Sequence, residues 1–214
     1  MPRRLAALIL AFLCAGCLTP AQQEAIRVQH EINRAIAVAD TCLAPLRDKW
    51  DYQALYARLA IEPTIPPPEP TPAQMADPGR PDRAAVAVMV ALHGELSVCR
   101  APLIESIARI APALAETAVD IWLRGDAMVL TLMRGRITWG EANRGIATLR
   151  DEYFQRLAEV IAETRRSIDA TAAGAAVASE APPRPVPDSV RRFPQDLADL
   201  QREMLAVLAA MPPR

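Results

Sequence analysis

The chain has 214 residues, 51% of them hydrophobic and only 4% aromatic, with a formal net charge of −1. That length suits one sizeable domain or two small ones, and so even a charge balance gives no electrostatic case for a nucleic-acid partner. Alanine, leucine and arginine are strong helix formers, and period-two runs of β-branched or aromatic residues are missing, so almost no strand is expected.

The first segment carries Arg3-Arg4, an apolar run from Leu5 to Leu13, and then Cys14-Ala15-Gly16-Cys17. A basic start, a short apolar run and small residues before a cut have the form of a secretory signal. The apolar run is too short for a bilayer core of ~30 Å, which needs ~20 residues. Small residues followed by a cysteine resemble the lipobox of bacterial lipoproteins, with Cys14 standing where that pattern carries Leu. The resemblance implies that residues 1–16 are removed as a signal peptide. It also implies that Cys17 becomes a lipid-modified N-terminus bearing a diacylglyceryl thioether and a further acyl group such as palmitate. Leu18 follows the cysteine rather than Asp, which under the Gram-negative sorting rule implies the periplasmic face of the outer membrane. Loss of Arg3 and Arg4 would take the formal charge from −1 to −3.

Thr19-Pro20 has the form of a helix start. Ala25, Val28, Ile32, Ala35, Ala39, Cys42 and Leu46 then recur at spacings of three and four, one narrow seam on a helix. This helix is expected to bend or break at Pro45 and to resume to about Ala60. Residues 62–81, EPTIPPPEPTPAQMADPGRP, are too proline-dense for a packed helix and predict a semi-rigid extended connector. The other reading of that stretch is a recognition segment for an aromatic-walled groove.

A second helix is predicted from about Asp82 to Ile110, with Val86, Val90, His93, Leu96 and Leu103 near one side. A third is predicted from Pro112 to about Arg134, with Val119, Trp122 and Val129 apolar. Gly135 suits a left-handed helix C-cap, and Thr138 with Glu141 three residues later is a capping box for the next helix. The motif Leu132-x-x-Gly135-x-Ile137-Thr138-x-x-Glu141 resembles the hairpin corner of small SHOCT-type bacterial helical segments, which implies a helical turn and no catalytic residue. The fourth helix runs from Trp139 to about Thr171 on Ile146, Leu149, Tyr153, Leu157 and Val160. After a proline-rich linker over 182–193, the last spans 194–214 with Leu197, Leu200, Met204, Val207 and Leu208 on one face.

The expected fold is therefore all-α, an antiparallel bundle of long amphipathic helices over 17–181 with the connector 62–81 inside it, followed by the linker and a terminal helix. Two cysteines sharpen that picture. Cys42 lies 18 residues before Ala60, and Cys99 lies 17 after Asp82. At ~1.5 Å per residue both stand about 26 Å from the connector, so antiparallel packing places them at one height. This predicts a Cys42–Cys99 disulfide, which an oxidising periplasm permits, with bends at Pro45 and Pro102 nested against each other.

Chemistry is poorly represented. His30 and His93 are the only histidines, neither with a ligand residue at i+3 or i+4, so no metal site is expected. No Gly-x-Ser-x-Gly and no phosphate-cradling glycine loop occurs. Asp151-Glu152 and Glu159/Glu163 match Arg150, Arg156, Arg165 and Arg166 at helical spacings, which favours surface ion pairs over acid/base dyads. Arg134, Arg136, Arg144 and Arg150 gather around the 135–141 turn, where they suggest either a solvated corner or an anion contact at a helix start.

No catalytic residue, cofactor or metal is expected. The first functional expectation is a non-enzymatic envelope lipoprotein, a scaffold or interaction module anchored through Cys17, with the terminal helix as docking element or as a fifth core helix. The alternative is a binding module holding a lipid or other apolar ligand between helices. One large apolar cavity lined by Trp122, Val129 and Tyr153 would favour the second; a solid core would favour the first.

Overall fold

The computed structural model describes residues 20–174 and 185–212. The signal segment, Cys17 and most of the second proline linker lie outside the described residues. Within them the chain forms seven helices and no strand: α1 Pro20–Arg47, α2 Trp50–Tyr56, α3 Pro72–Ala76, α4 Arg83–Ile110, α5 Pro112–Met133, α6 Trp139–Gly174 and α7 Asp188–Ala210.

Side-chain pairs show how the helices run. Arg124 meets Glu152 while Asp120, four residues earlier on α5, meets Arg156, four later on α6. Cys42 is bonded to Cys99, while Lys49, just past the end of α1, meets Glu95, further back on α4. His93 meets Gln201, and Arg83 reaches the carbonyls of Leu208 and Met211. These pairs make α1/α4, α5/α6 and α4/α7 antiparallel. Trp122 beside Phe193, and Arg134 beside Glu203, make α5 and α7 parallel neighbours. α1, α4, α5 and α6 thus form a four-helix ring, and α7 lies on the outer face of the α4–α5 seam.

α4 is the central element, packed by α1, α2, α5 and α7. It is long and apolar enough to cross a membrane by length and composition alone, and 39% of its apolar window is buried against these neighbours. Asp82 caps its start by accepting from the Ala85 N–H. A single residue, Ala111, separates it from α5, whose first residue is Pro112, where a missing N–H costs nothing.

The expected break of the first helix near Pro45 is present: α1 ends at Arg47 and the chain resumes as α2, Trp50–Tyr56. Pro45 cannot bond back to Thr41, and the orphan carbonyls are taken by side chains: Tyr56 donates to Leu46 O and Gln53 to Arg47 O. Pro45 and Pro102 are both exposed, so nested bends are not how α1 meets α4.

The connector is not extended throughout. Thr71 and Gln74 form a capping box for α3, and Pro63 and Pro70 are buried. The Ile65–Pro66 peptide is cis.

The last helix begins at Asp188, six residues before Pro194, so 188–193 is helix rather than linker. Val190 and Phe193 sink into the core at 5% and 0% exposure. Their burial, about 1.5–3 kcal/mol for each large apolar side chain, outweighs the bond lost at Pro194.

Candidate functional site

Side chains do not fill the space between the four helices of the ring. A cavity of about 400 Å³ lies inside it, within the ~300–1,000 Å³ range of small-molecule pockets. Each helix contributes a stripe at helical spacing: Ile36, Ala39 and Leu43 from α1; Leu96, Cys99, Arg100 and Leu103 from α4; Ala118, Ile121, Trp122, Gly125, Asp126 and Val129 from α5; Ile146, Leu149, Arg150, Tyr153, Phe154 and Leu157 from α6. The small residues Ala39, Ala118 and Gly125 hold the walls apart. A Cβ built on Gly125 would meet nothing nearer than a Leu149 methyl at 4.0 Å. Residues 60–67 of the connector supply the remaining wall. Trp122, Val129 and Tyr153 share this one cavity.

A second depression, of about 490 Å³, runs along the outer α1–α4 seam past Val38 and Val98. It has no aromatic wall, so the internal cavity is the better-built site.

The polar groups of the cavity are organised by α4. Arg100 donates to both oxygens of Asp126 at 3.0 Å, and its guanidinium stacks 5.3 Å from the Trp122 ring centre. Burial alone would push the Asp126 carboxyl up; the charge of Arg100 and its hydrogen bonds overcome this and hold it below the ordinary carboxylate range. Behind Asp126 lies His93, whose Nε2 is 3.5 Å from Oδ2. Gln201 donates from Nε2 to Val90 O at 3.2 Å, so its Oε1 faces His93 Nδ1 at 2.6 Å and accepts from it. Gly94 is what lets Gln201 approach: a Cβ there would sit 3.3 Å from the amide nitrogen. α4, α5 and α7 are therefore tied together directly behind the cavity wall.

On α6, Arg150 donates through Nε to Pro67 O at 3.1 Å and lies over the Phe154 ring at 4.9 Å. Burial raises the Tyr153 phenol, which stays a neutral donor.

The connector wall is held in place by Asn143, fully buried at 0% exposure. Its Oδ1 accepts from Ala60 N at 3.0 Å, while its Nδ2 lies within donating distance of Arg58 O, Gln74 O and Trp139 O at 2.7, 3.1 and 2.9 Å. Beside it, Gly140 N donates to Asp77 O at 2.8 Å, and a Cβ on Gly140 would strike Met75 O at 2.6 Å, so only glycine fits. Arg58 closes the clamp by pairing with Asp77 and stacking 4.7 Å from the Trp139 ring.

The two described cysteines are bonded to each other, with Cα atoms 5.8 Å apart, and Cys99 forms part of the cavity wall. The 135–141 turn is a capping device. Gly135 has φ +65°, with its N–H on Leu132 O and that of Arg136 on Thr131 O, the two bonds of a Schellman motif. Thr138 and Glu141 cap each other reciprocally.

The four arginines near this turn do not converge: Arg134 pairs with Glu203, Arg144 donates to Met75 O, Arg150 faces the cavity and Arg136 is exposed. Glu152 joins Arg124 and Arg156 in a surface network between α5 and α6. Among the described residues no three of His, Cys, Asp and Glu come together as metal ligands.

Asn143, Arg100–Asp126 and His93–Gln201 escaped sequence reasoning because each joins residues on different helices. The legible hint was an Asp and an Asn on otherwise apolar helical faces.

Fold and site together define an all-α bundle with an internal, mainly apolar cavity. Comparison with known proteins finds no matching family model, no matching curated protein and no matching solved structure.

Proposed function

We propose that this chain is a non-enzymatic envelope lipoprotein, anchored through Cys17 and facing the periplasm from the outer membrane, that holds an apolar or amphipathic small molecule between its helices. The observation that carries this is the cavity of about 400 Å³, with aromatic and aliphatic walls and a few convergent polar groups. The lipobox-like segment supports the anchor, and the disulfide suits an oxidising compartment. Among the cavity's polar groups Asp126 is already engaged by Arg100, which suits binding better than acid/base work.

For the terminal helix two roles were open, a docking element or a fifth core helix. The apolar face of α7 is spent on α4 and α5, with Val190, Phe193, Leu197 and Met204 all buried.

The test uses the full chain and N-phenyl-1-naphthylamine, read by energy transfer from tryptophan. Gly125→Leu places a side chain in the cavity; it should abolish the transfer while leaving the thermal midpoint equal or higher. A chain that shows no transfer, or a Gly125→Leu variant that keeps it undiminished, sinks the reading.

A further inference from the structure

We propose that the cavity takes a single-chain amphipath with an anionic head, and that Arg150 and Tyr153 of α6 receive that head. This rests on the binding reading above and adds the chemical class of the ligand.

The charges on the wall do not all cancel locally. Arg100 is neutralised by Asp126. Glu62, the other carboxylate of the wall, lies within Coulombic reach of Arg47. Arg150 has no carboxylate at ion-pair distance among the described residues. Its Nε is engaged by Pro67 O and its face by Phe154, while Nη1 and Nη2 have no hydrogen-bond partner among the described residues.

Three residues further along the same helix face, the Tyr153 hydroxyl has no partner among the described residues, and burial keeps it protonated. A guanidinium edge and a phenol O–H on one wall are two donors with no acceptor, the complement of a carboxylate or phosphate monoester.

On the walls around them Ile121, Val129, Leu157 and the Trp122 ring offer apolar surface, suited to a hydrocarbon tail. The volume, towards the small end of the usual range, favours one chain over two.

The protein's own anchor does not supply this anionic head. The first cavity residue on α1, Ile36, stands sixteen residues beyond Pro20, about 24 Å along the helix axis. A thioether-linked acylglycerol also carries no anion for Arg150.

The experiment measures equilibrium binding of radiolabelled laurate, dodecyl phosphate and 1-dodecanol to the oxidised full chain in phosphatidylcholine nanodiscs, with empty discs subtracted. Laurate or dodecyl phosphate should bind one per chain, about tenfold or more tighter than dodecanol, the scale of a hydrogen bond to a charged group. Whichever anion binds tighter names the head, carboxylate or phosphate.

Arg150→Gln and Tyr153→Phe should weaken the anions and leave dodecanol unchanged, with Arg150→Lys intermediate. Equal binding of anions and alcohol by the unaltered chain overturns the head site but leaves the cavity reading standing. Binding of none of the three overturns both. The anion-to-alcohol ratio in the unaltered chain decides the matter even if a variant fails to fold.

Discussion

His93 Nδ1 stands 2.6 Å from Oε1 of Gln201, and this contact between α4 and α7 sits directly behind the Arg100–Asp126 pair of the cavity wall. It makes the last helix part of the core. Gln201→Leu strands the His93 N–H in a buried setting, and a loss of about 1–3 kcal/mol is expected in urea unfolding. Truncation after Glu180 removes Phe193 and Met204 from the core, so the remaining chain should lose its cooperative transition. A truncated chain that still unfolds in one sharp step would show α7 to be an accessory.

The disulfide closes a separation of 57 residues. In the chain-entropy picture such a loop contributes about 4 kcal/mol. Cys42→Ser with Cys99→Ser should lower the thermal midpoint by many degrees under oxidising conditions, and a reductant should lower the unaltered chain equally while leaving the double variant alone. An unchanged midpoint in the double variant would refute a stabilising bridge.

Asn143→Leu should be among the costliest single substitutions. It strands the Ala60 N–H and the carbonyls of Arg58 and Gln74 in a dry setting, for a loss of about 3 kcal/mol or more. Asn33→Ala on the exposed face of α1 is the control and should stay within about 0.5 kcal/mol. Similar urea midpoints for the two variants would show that the clamp contributes nothing.

Acid should act through Asp126. Its carboxyl is held below its ordinary value in the folded chain. The associated stability is thus complete above the unfolded value of ~3.9, and disappears as pH falls through the lower folded value. Asp126→Asn should be less stable than the parent at pH 7, and the gap between the two thermal midpoints should narrow as pH falls towards 2. Parallel midpoint curves would exclude this carboxylate as a source of acid sensitivity.

Much of the architecture was legible because helical periodicity is local. The seams on α1, α4, α5 and α6, the Gly135 C-cap and the Thr138–Glu141 box need only residues a few positions apart. The Cys42–Cys99 pairing also emerged, although α1 stops at Arg47, because the two residues lie at matching heights on neighbouring antiparallel helices.

The boundaries that moved are those where tertiary burial overrides a local rule. Phe193 draws an extra turn into the core despite Pro194, and Asn143 gathers a proline-rich stretch into a packed wall. The cavity was legible only as three residues, Trp122, Val129 and Tyr153; the guanidinium beside them depended on where Pro67 and Phe154 came to rest.

Cys99 belongs to the inner wall, while its bonded partner Cys42 lies exposed on α1. The bond fastens α1 to its neighbour α4 along one side of the cavity. With that bond reduced, α1 and α4 meet along this side of the cavity through packing alone. An oxidising medium is what closes the bond, so the redox state of the surroundings sets whether this wall of the cavity is covalently latched.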